Sequence, residues 1–165
     1  KVFLVQQSEV PLVHLGLAVR GGSSSDGKTW GLSSLTLDSL VLGAAGKKKS
    51  VIEETMDFYG ADFGTDVSRD YLYADMSLAS EDLERLLPLF AELATKPQFP
   101  DTEVEKLKER RSAELRKAKE SPNRIATEVF SRLLFADHPY ASPTGGTSES
   151  IKKIKPVKLS KKPEP

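Results

Sequence analysis

The order of strand-like and helical patterns constrains the fold of this chain more than any other feature. Four runs typical of β-strands occur before residue 79, at 2–5, 10–19, 62–67 and 71–78. From Ser80 to about Phe135 the apolar residues instead recur at helical spacing. Strands followed by consecutive helices predict an α+β fold, with three C-terminal helices packed on a four-stranded sheet.

The strand-like runs indicate different places in the sheet. Run 10–19 is apolar on both faces, so we expect it in the interior of a covered sheet, separated from the first strand by the polar residues 6–9. The last two runs flank Ser68-Arg69-Asp70, which predicts a hairpin. Between the two pairs, Gly21–Gly27 predicts a flexible loop and residues 30–42 predict a helix.

The three C-terminal helices have defined starts. Ser80 is a candidate N-cap for the first, Asp101 begins a long charged helix, and Ser121 with Pro122 begins the third. Large apolar residues on these helices, on the first helix and on the second strand are predicted to form one buried core. They are Val13, Leu15, Leu17, Leu35, Leu86, Leu87, Phe90, Leu93, Phe130 and Leu134.

Composition excludes several classes of function. Lys+Arg and Asp+Glu both total 24, so the net charge is zero, which argues against nucleic-acid binding by a globally basic surface. The chain has no cysteine, which excludes disulfides and thiolate metal sites. His14 and His138 are the only histidines, so a site built from two or three imidazoles is not expected. No run of about 18 apolar residues occurs, so we expect no membrane span.

The C-terminal segment differs in composition from the rest. Residues 151–165 hold six lysines and one glutamate, a net charge of +5, which leaves −5 for residues 1–150. We therefore predict a domain over 1–150 and a basic, Pro- and Lys-rich tail over 151–165. The tail is either an arm for anionic surfaces or a disordered terminus.

Short motifs along residues 1–155 together resemble the first half-domain of the M16 metallopeptidases, the family of insulin-degrading enzyme, pitrilysin and the mitochondrial processing peptidase. Their order and spacing carry the resemblance, since each motif alone is weak. They are Val10-Pro11-Leu12-Val13, Gly16-Leu17, Arg20-Gly21-Gly22-Ser23, Gly31-Leu32, Tyr59-Gly60-Ala61, Ser68-Arg69-Asp70 with Tyr73, Glu120-Ser121-Pro122-Asn123-Arg124, His138-Pro139-Tyr140, Gly146-Thr147 and Ser150-Ile151. The resemblance implies a mainly antiparallel sheet covered on one face by helices, in a half-domain that is truncated if its sheet is not completed elsewhere.

The resemblance also places the chemistry of active members on the helix that begins at Gly31-Leu32. Those members carry H-x-x-E-H there, in which two histidines bind zinc and the glutamate is the general base. This chain has Ser34 and Asp38 at the histidine positions and Leu37 at the general-base position. A hydroxyl is a poor zinc ligand and leucine accepts no proton, so we expect no catalytic residue, no zinc and no cofactor; zinc belongs to active relatives only.

One position of the implied ligand set keeps its residue type. Glu114 matches the downstream glutamate ligand, although it is also typical of a solvated helix face. Ser34, Asp38 and Glu114 together are candidates for a weak oxygen site for a hard cation. His14, in a strand, and His138, in a loop, are interpreted as structural, and no substrate-binding residue is assigned.

The resemblance therefore implies a non-catalytic M16-like subunit or domain. Its expected partners are a catalytic M16 subunit or a second M16 half-domain, and a peptide substrate captured by strand addition at a sheet edge. Two alternatives stay open within the family: a structural subunit like the core proteins of respiratory complex III, and an inactive domain of a longer M16 polypeptide. A stand-alone α+β interaction domain is the alternative without family content. By family habit, the location is a bacterial envelope or a mitochondrion.

Overall fold

The computed structural model describes residues 1–6 and 9–155 as an α+β domain, and the predicted fold class is confirmed. Its strands are β1 (Leu12–Arg20), β2 (Gly43–Ala44), β3 (Lys47–Lys48), β4 (Asp62–Val67) and β5 (Tyr71–Ala79). Its helices are α1 (Leu32–Asp38), α2 (Lys49–Phe58), α3 (Leu83–Thr95), α4 (Asp101–Ala118), α5 (Pro122–Phe135) and α6 (Ser148–Lys153).

The main sheet is antiparallel and has the order β1-β5-β4. The predicted hairpin is confirmed as β4 and β5, joined through residues 68–70. The prediction of an interior strand at 10–19 is wrong, because β5 occupies the centre and β1 pairs with it along one edge only. The predicted strand at 2–5 is also wrong: Val2–Val5 are 84–96% exposed and pair with no described strand. The described sheet therefore has three strands rather than four.

Helices pack on the inner face of this sheet and form the core with it. Met76 and Leu78 of β5 pack with Leu86, Phe90 and Leu93 of α3, while a second cluster joins Leu35 of α1 to α4 and α6. Burial is confirmed for Leu35, Leu86, Phe90 and Leu93, and Val13 and Leu15 are half-buried against the first cluster. The predicted burial is wrong for four residues, which point away from these clusters: Leu17, Leu87, Phe130 and Leu134.

The glycine-rich segment before α1 is more ordered than its composition predicts. Ser23–Asp26 form a turn of 3-10 helix rather than a flexible loop, because the buried Asp26 carboxylate accepts hydrogen bonds from the N–H groups of Gly31 and Ser33, each at 3.0 Å. The predicted helix over 30–42 is correspondingly shorter. α1 ends at Asp38, and a 3-10 turn covers Leu40–Leu42.

The chain remains part of the folded body after residue 150. α6 covers Ser148–Lys153, and both Ile151 and Ile154 are buried in the cluster with α1 and α4. The predicted boundary at residue 150 thus falls inside a helix that contributes to the core. Residues 156–165 of the predicted tail lie outside the described residues. Within the described ranges, no helix combines the length and the hydropathy that crossing a bilayer requires.

Candidate functional site

Helix α1 presents Ser34 and Asp38 to α4. Ser34 and Asp38 lie four residues apart and so share one face of the helix. Leu37 is buried against Leu40 and Ala74. The Asp26 carboxylate fixes the start of α1 and so sets where this face points.

Arg111 of α4 lies at the centre of the predicted site. Its Nη2 donates to Ser34 Oγ at 2.9 Å, and its Nε lies 3.0 Å from Asp38 Oδ2. Its Nη1 donates to Glu114 Oε2 at 3.3 Å. The structure therefore does bring Ser34, Asp38 and Glu114 together, but around a guanidinium group.

The sequence interpretation missed the role of Arg111, although the pattern contained a signal. Arg111 falls on the apolar stripe of α4 in register with Val104, Leu107 and Leu115, all of which are buried. A cation on an apolar stripe needs a charged partner, because an unpaired charge is costly to remove from water. Asp38, equally out of place on the buried side of α1, is that partner.

Burial and the ion pair act in opposite directions on the pKa of Asp38. Burial raises the pKa of the Asp38 carboxyl above its ordinary value, while the Arg111 guanidinium and a 3.3 Å hydrogen bond from Thr65 Oγ1 act to lower it. Asp38 Oδ2 is buried, and its contact with Arg111 has the distance of an ion pair without the alignment of a hydrogen bond. Among the groups around Asp38, Arg111 most strongly opposes the effect of burial on the pKa of this carboxyl.

These residues do not fit the zinc ion of active M16 members. Serine and leucine replace a ligand and the general base, and the Arg111 guanidinium places a positive charge 3.0 Å from the Asp38 oxygen that a metal would need. Among the described residues, no group of three or more His, Asp or Glu side chains converges as a metal site does. A hard cation held by Ser34, Asp38 and Glu114 would be repelled by the same guanidinium group.

A cleft of about 500 Å³ opens beside this site, between α1, α2, α4 and β4. Five carboxylates and two guanidinium groups line it, which gives it an excess of negative charge: Asp38, Glu53, Asp57, Asp62, Glu114, Arg110 and Arg111. Met56 and Phe63 add apolar surface. β4 forms one wall and pairs only with β5 in the described chain, so the N–H and C=O groups of its outer edge are available to an extended peptide.

Neither histidine lines the cleft. His14 of β1 places Nδ1 2.9 Å from Ser77 Oγ and Nε2 3.7 Å from Asp75 Oδ2, in an exposed polar cluster on the sheet. His138 Nδ1 accepts a hydrogen bond from the Tyr140 N–H at 3.2 Å and so stabilises the turn after α5. Each histidine therefore has a polar partner within the described chain.

Comparison with known proteins gives a consistent set of relatives. The family model described as insulinase (peptidase family M16) matches residues 1–148. A protein described as non-peptidase homolog YmxG, from Helicobacter pylori, is 26% identical over 162 residues, which cover 92% of this chain and 38% of that protein. The crystal structure of a peptidase M16 inactive domain from Pseudomonas fluorescens superposes with a TM-score of 0.88 at 33% identity, covering 94% of this chain and 38% of that one.

A second solved structure supports the fold alone. The crystal structure of a protease from Helicobacter pylori superposes with a TM-score of 0.84 at 16% identity, over 92% of this chain and 37% of that chain. The chain thus spans less than two fifths of the length of the relatives it matches.

Proposed function

Because the chain belongs to the insulinase family, peptidase family M16, we propose that it is a non-catalytic M16 unit that pairs with a zinc-bearing M16 partner and helps to enclose and bind peptide substrate. The observation that carries the proposal is the guanidinium of Arg111 at the degenerate zinc position, beside a cleft that keeps a free strand edge. Such a unit retains the means to hold a peptide but not the means to cleave it.

Peptide capture would use the outer edge of β4. An extended segment added antiparallel or parallel to β4 gains main-chain hydrogen bonds, and its alternate side chains point into the cleft. The surplus of carboxylates there favours a segment that carries Lys or Arg.

Peptide binding can be tested with a fluorescent, lysine-containing decapeptide, using anisotropy. We expect saturable binding that is lost when alternate backbone nitrogens of the peptide are methylated, because methylation removes the donors to a strand edge. Asp57→Lys, on the cleft side of α2, should weaken binding severalfold, whereas Glu54→Lys, on the same helix but outside the cleft lining, should not. Equal binding of the methylated peptide would contradict strand addition.

Pairing is tested on the protein as it occurs in its own cells. Native mass spectrometry of the isolated protein should give a complex that contains an H-x-x-E-H sequence, either in a second chain or later in the same polypeptide. Removing this unit should lower peptide hydrolysis by that complex. A lone monomer without any zinc-bearing M16 sequence would contradict the proposal.

The main alternative is an inactive domain within a longer M16 polypeptide. It is favoured by one observation, namely that the region shared with this chain makes up only 38% of the Helicobacter pylori homologue and 38% of the Pseudomonas fluorescens chain. The same native mass measurement separates the two arrangements. In a longer polypeptide the zinc motif belongs to the same covalent chain as this domain, whereas in a paired complex it belongs to a second chain.

A further inference from the structure

A small cavity lies between α5 and the segment that follows it, with a residue of the β4–β5 turn in its wall. Its volume is about 220 Å³. Three guanidinium groups and one carboxylate line it, so its lining has a net charge of +2 although the whole chain is neutral: Arg69, Arg124, Arg132 and Glu128. We call it the arginine cavity.

Only one of the three guanidinium groups has a carboxylate partner in the part of the chain that the structure describes. Arg124 Nε lies 3.2 Å from Glu128 Oε1. The Arg132 side chain forms no ion pair or hydrogen bond with any residue of the described ranges. Two positive charges are therefore not neutralised by the lining, and an anion between them would lower their mutual repulsion.

Arg69 has other contacts, which fix its position. Its guanidinium lies over the rings of Phe135 and Tyr140, at 5.6 and 5.3 Å from their centroids. Its Nη1 donates to the backbone carbonyls of Tyr140 and Ser142. The neighbouring acid, Asp70, accepts a hydrogen bond from the Tyr140 hydroxyl. Because its geometry is set before binding, Arg69 loses little conformational entropy when it meets a ligand.

Neutral donors add to the charged ones. The hydroxyl groups of Ser131, Ser142 and Thr144 belong to residues of the cavity wall, as do the backbone N–H groups of Thr144 and Gly145. Within the described ranges, none of these groups donates to another residue. An oxyanion accepts hydrogen bonds from several directions, and bonds from charged donors are about twice as strong as those between neutral groups.

We propose that the arginine cavity binds a phosphate group in its doubly charged form, as inorganic phosphate or as the end of a phosphate monoester. The net charge of +2 in the lining matches a dianion, and a guanidinium group can hold two phosphate oxygens at once. A carboxylate is a poorer match, because it carries one charge and its two oxygens lie in one plane. A water molecule takes about 30 Å³ of the liquid, so the cavity has room for a phosphate group and a few waters.

An adjoining cavity has room for the organic part of a monoester. It has a volume of about 610 Å³ and shares Arg132 and Ser142 with the arginine cavity. Trp30 and His138 line it, and Trp30 is 37% exposed, so an aromatic group can stack there. A phosphate monoester with an aromatic ring should therefore bind more tightly than inorganic phosphate does.

The test titrates inorganic phosphate into the full protein at low salt and at a pH of about 8, at which phosphate is doubly charged, and follows binding by phosphorus NMR. We expect saturation with a dissociation constant of about 1 mM or lower. Phenyl phosphate that binds severalfold more tightly identifies a monoester as the ligand, and equal affinity identifies free phosphate. Dimethyl phosphate, which carries a single charge, should bind about tenfold more weakly. Lack of saturation, or equal binding of dimethyl phosphate, overturns the proposal.

A pair of variants locates the binding. Arg132→Gln should weaken phosphate binding at least fivefold, and the fold should be kept because the Arg132 side chain has no partner in the described ranges. Arg116→Gln is the matched control, because it removes the same charge from an exposed position of α4 outside the cavity. Circular dichroism confirms that both variants are folded. Equal affinities of the two variants would mean that phosphate binds elsewhere, which overturns the assignment of the arginine cavity.

Discussion

Replacing Arg111 with leucine removes the charge that neutralises the degenerate site. Ser34 then loses a hydrogen-bond donor, and the Asp38 carboxylate is left buried without its ion-pair partner. An unpaired buried charge is costly because water no longer solvates it. We therefore expect Arg111→Leu to destabilise the protein although leucine suits the apolar stripe of α4.

The size of the effect follows from how far the pair is buried. Removing one partner of a fully buried pair costs about 3–5 kcal/mol, and an exposed pair contributes about 0.2–1 kcal/mol. The side chains of Arg111 and Asp38 are 30% and 24% exposed, so the pair lies between these limits. We expect a loss of about 2 kcal/mol, which in a domain of this size lowers Tm by about 4–8 °C.

The loss should depend on pH with a definite sign. Burial raises the native pKa of Asp38, so the native state binds a proton more readily than the unfolded state does. The stability of the protein therefore falls as pH rises through the native pKa. Without Arg111 that pKa rises further. The stability difference between Arg111→Leu and the wild type should therefore shrink as pH is lowered and Asp38 becomes protonated.

Urea unfolding followed by circular dichroism measures both effects. Arg110→Leu is the matched control, because the Arg110 side chain is 67% exposed and its ion pair with Glu114 spans 3.7 Å. Arg110→Leu should change the unfolding free energy by less than about 0.5 kcal/mol. A loss in Arg111→Leu no larger than in this control, or a difference that grows at low pH, would refute the assignment of Arg111 as the counter-ion of Asp38.

Three further predictions concern the core, the turn before α1 and the metal position. Leu86→Ala should cost about 2–5 kcal/mol of unfolding free energy in the same assay, and Leu87→Ala under about 1 kcal/mol, because the first is fully buried and the second 46% exposed. Gly31→Ala should lower Tm by several degrees more than Gly46→Ala: both glycines have φ near +85°, but only at Gly31 would a Cβ meet neighbouring atoms, the nearest at 2.8 Å. Installing H-x-x-E-H at 34–38 should give no stoichiometric zinc by mass spectrometry until Arg111 is also replaced by a neutral residue; zinc bound in the presence of Arg111 would contradict the electrostatic account.

The sequence predicted the bounds of helices and strands best where the local pattern agrees with the tertiary packing. The hairpin of β4 and β5, the long charged helix and the third C-terminal helix were predicted close to their observed bounds, because turn residues, caps and periodicity decide them locally. The strand at 2–5 could not be placed from its apolar composition, since a strand is stable only with a neighbour, and the described sheet offers it none.

The core and the site show a second limit of local pattern. The α5 sequence predicts burial of Phe130 and Leu134, but periodicity says which residues share a face and not which face packs on the rest of the protein; here the polar face does, against the turn after α5. In the site, Ser34, Asp38 and Glu114 were predicted from the resemblance to the family. Arg111 does not, because its partner Asp38 lies 73 residues away in sequence and only the packing of α4 on α1 joins them.

The place of β5 between β1 and β4 has a consequence for the order of folding. Residues paired between β4 and β5 lie 5 to 15 positions apart, whereas those paired between β1 and β5 lie 51 to 67 apart. Closing the longer loop costs more chain entropy, so the hairpin can form early and β1 adds late. Weakening substitutions in β1 should then mainly accelerate unfolding, and those in the hairpin should mainly slow folding. We therefore expect β1, the strand that carries His14, to separate from the sheet before the hairpin of β4 and β5 unfolds.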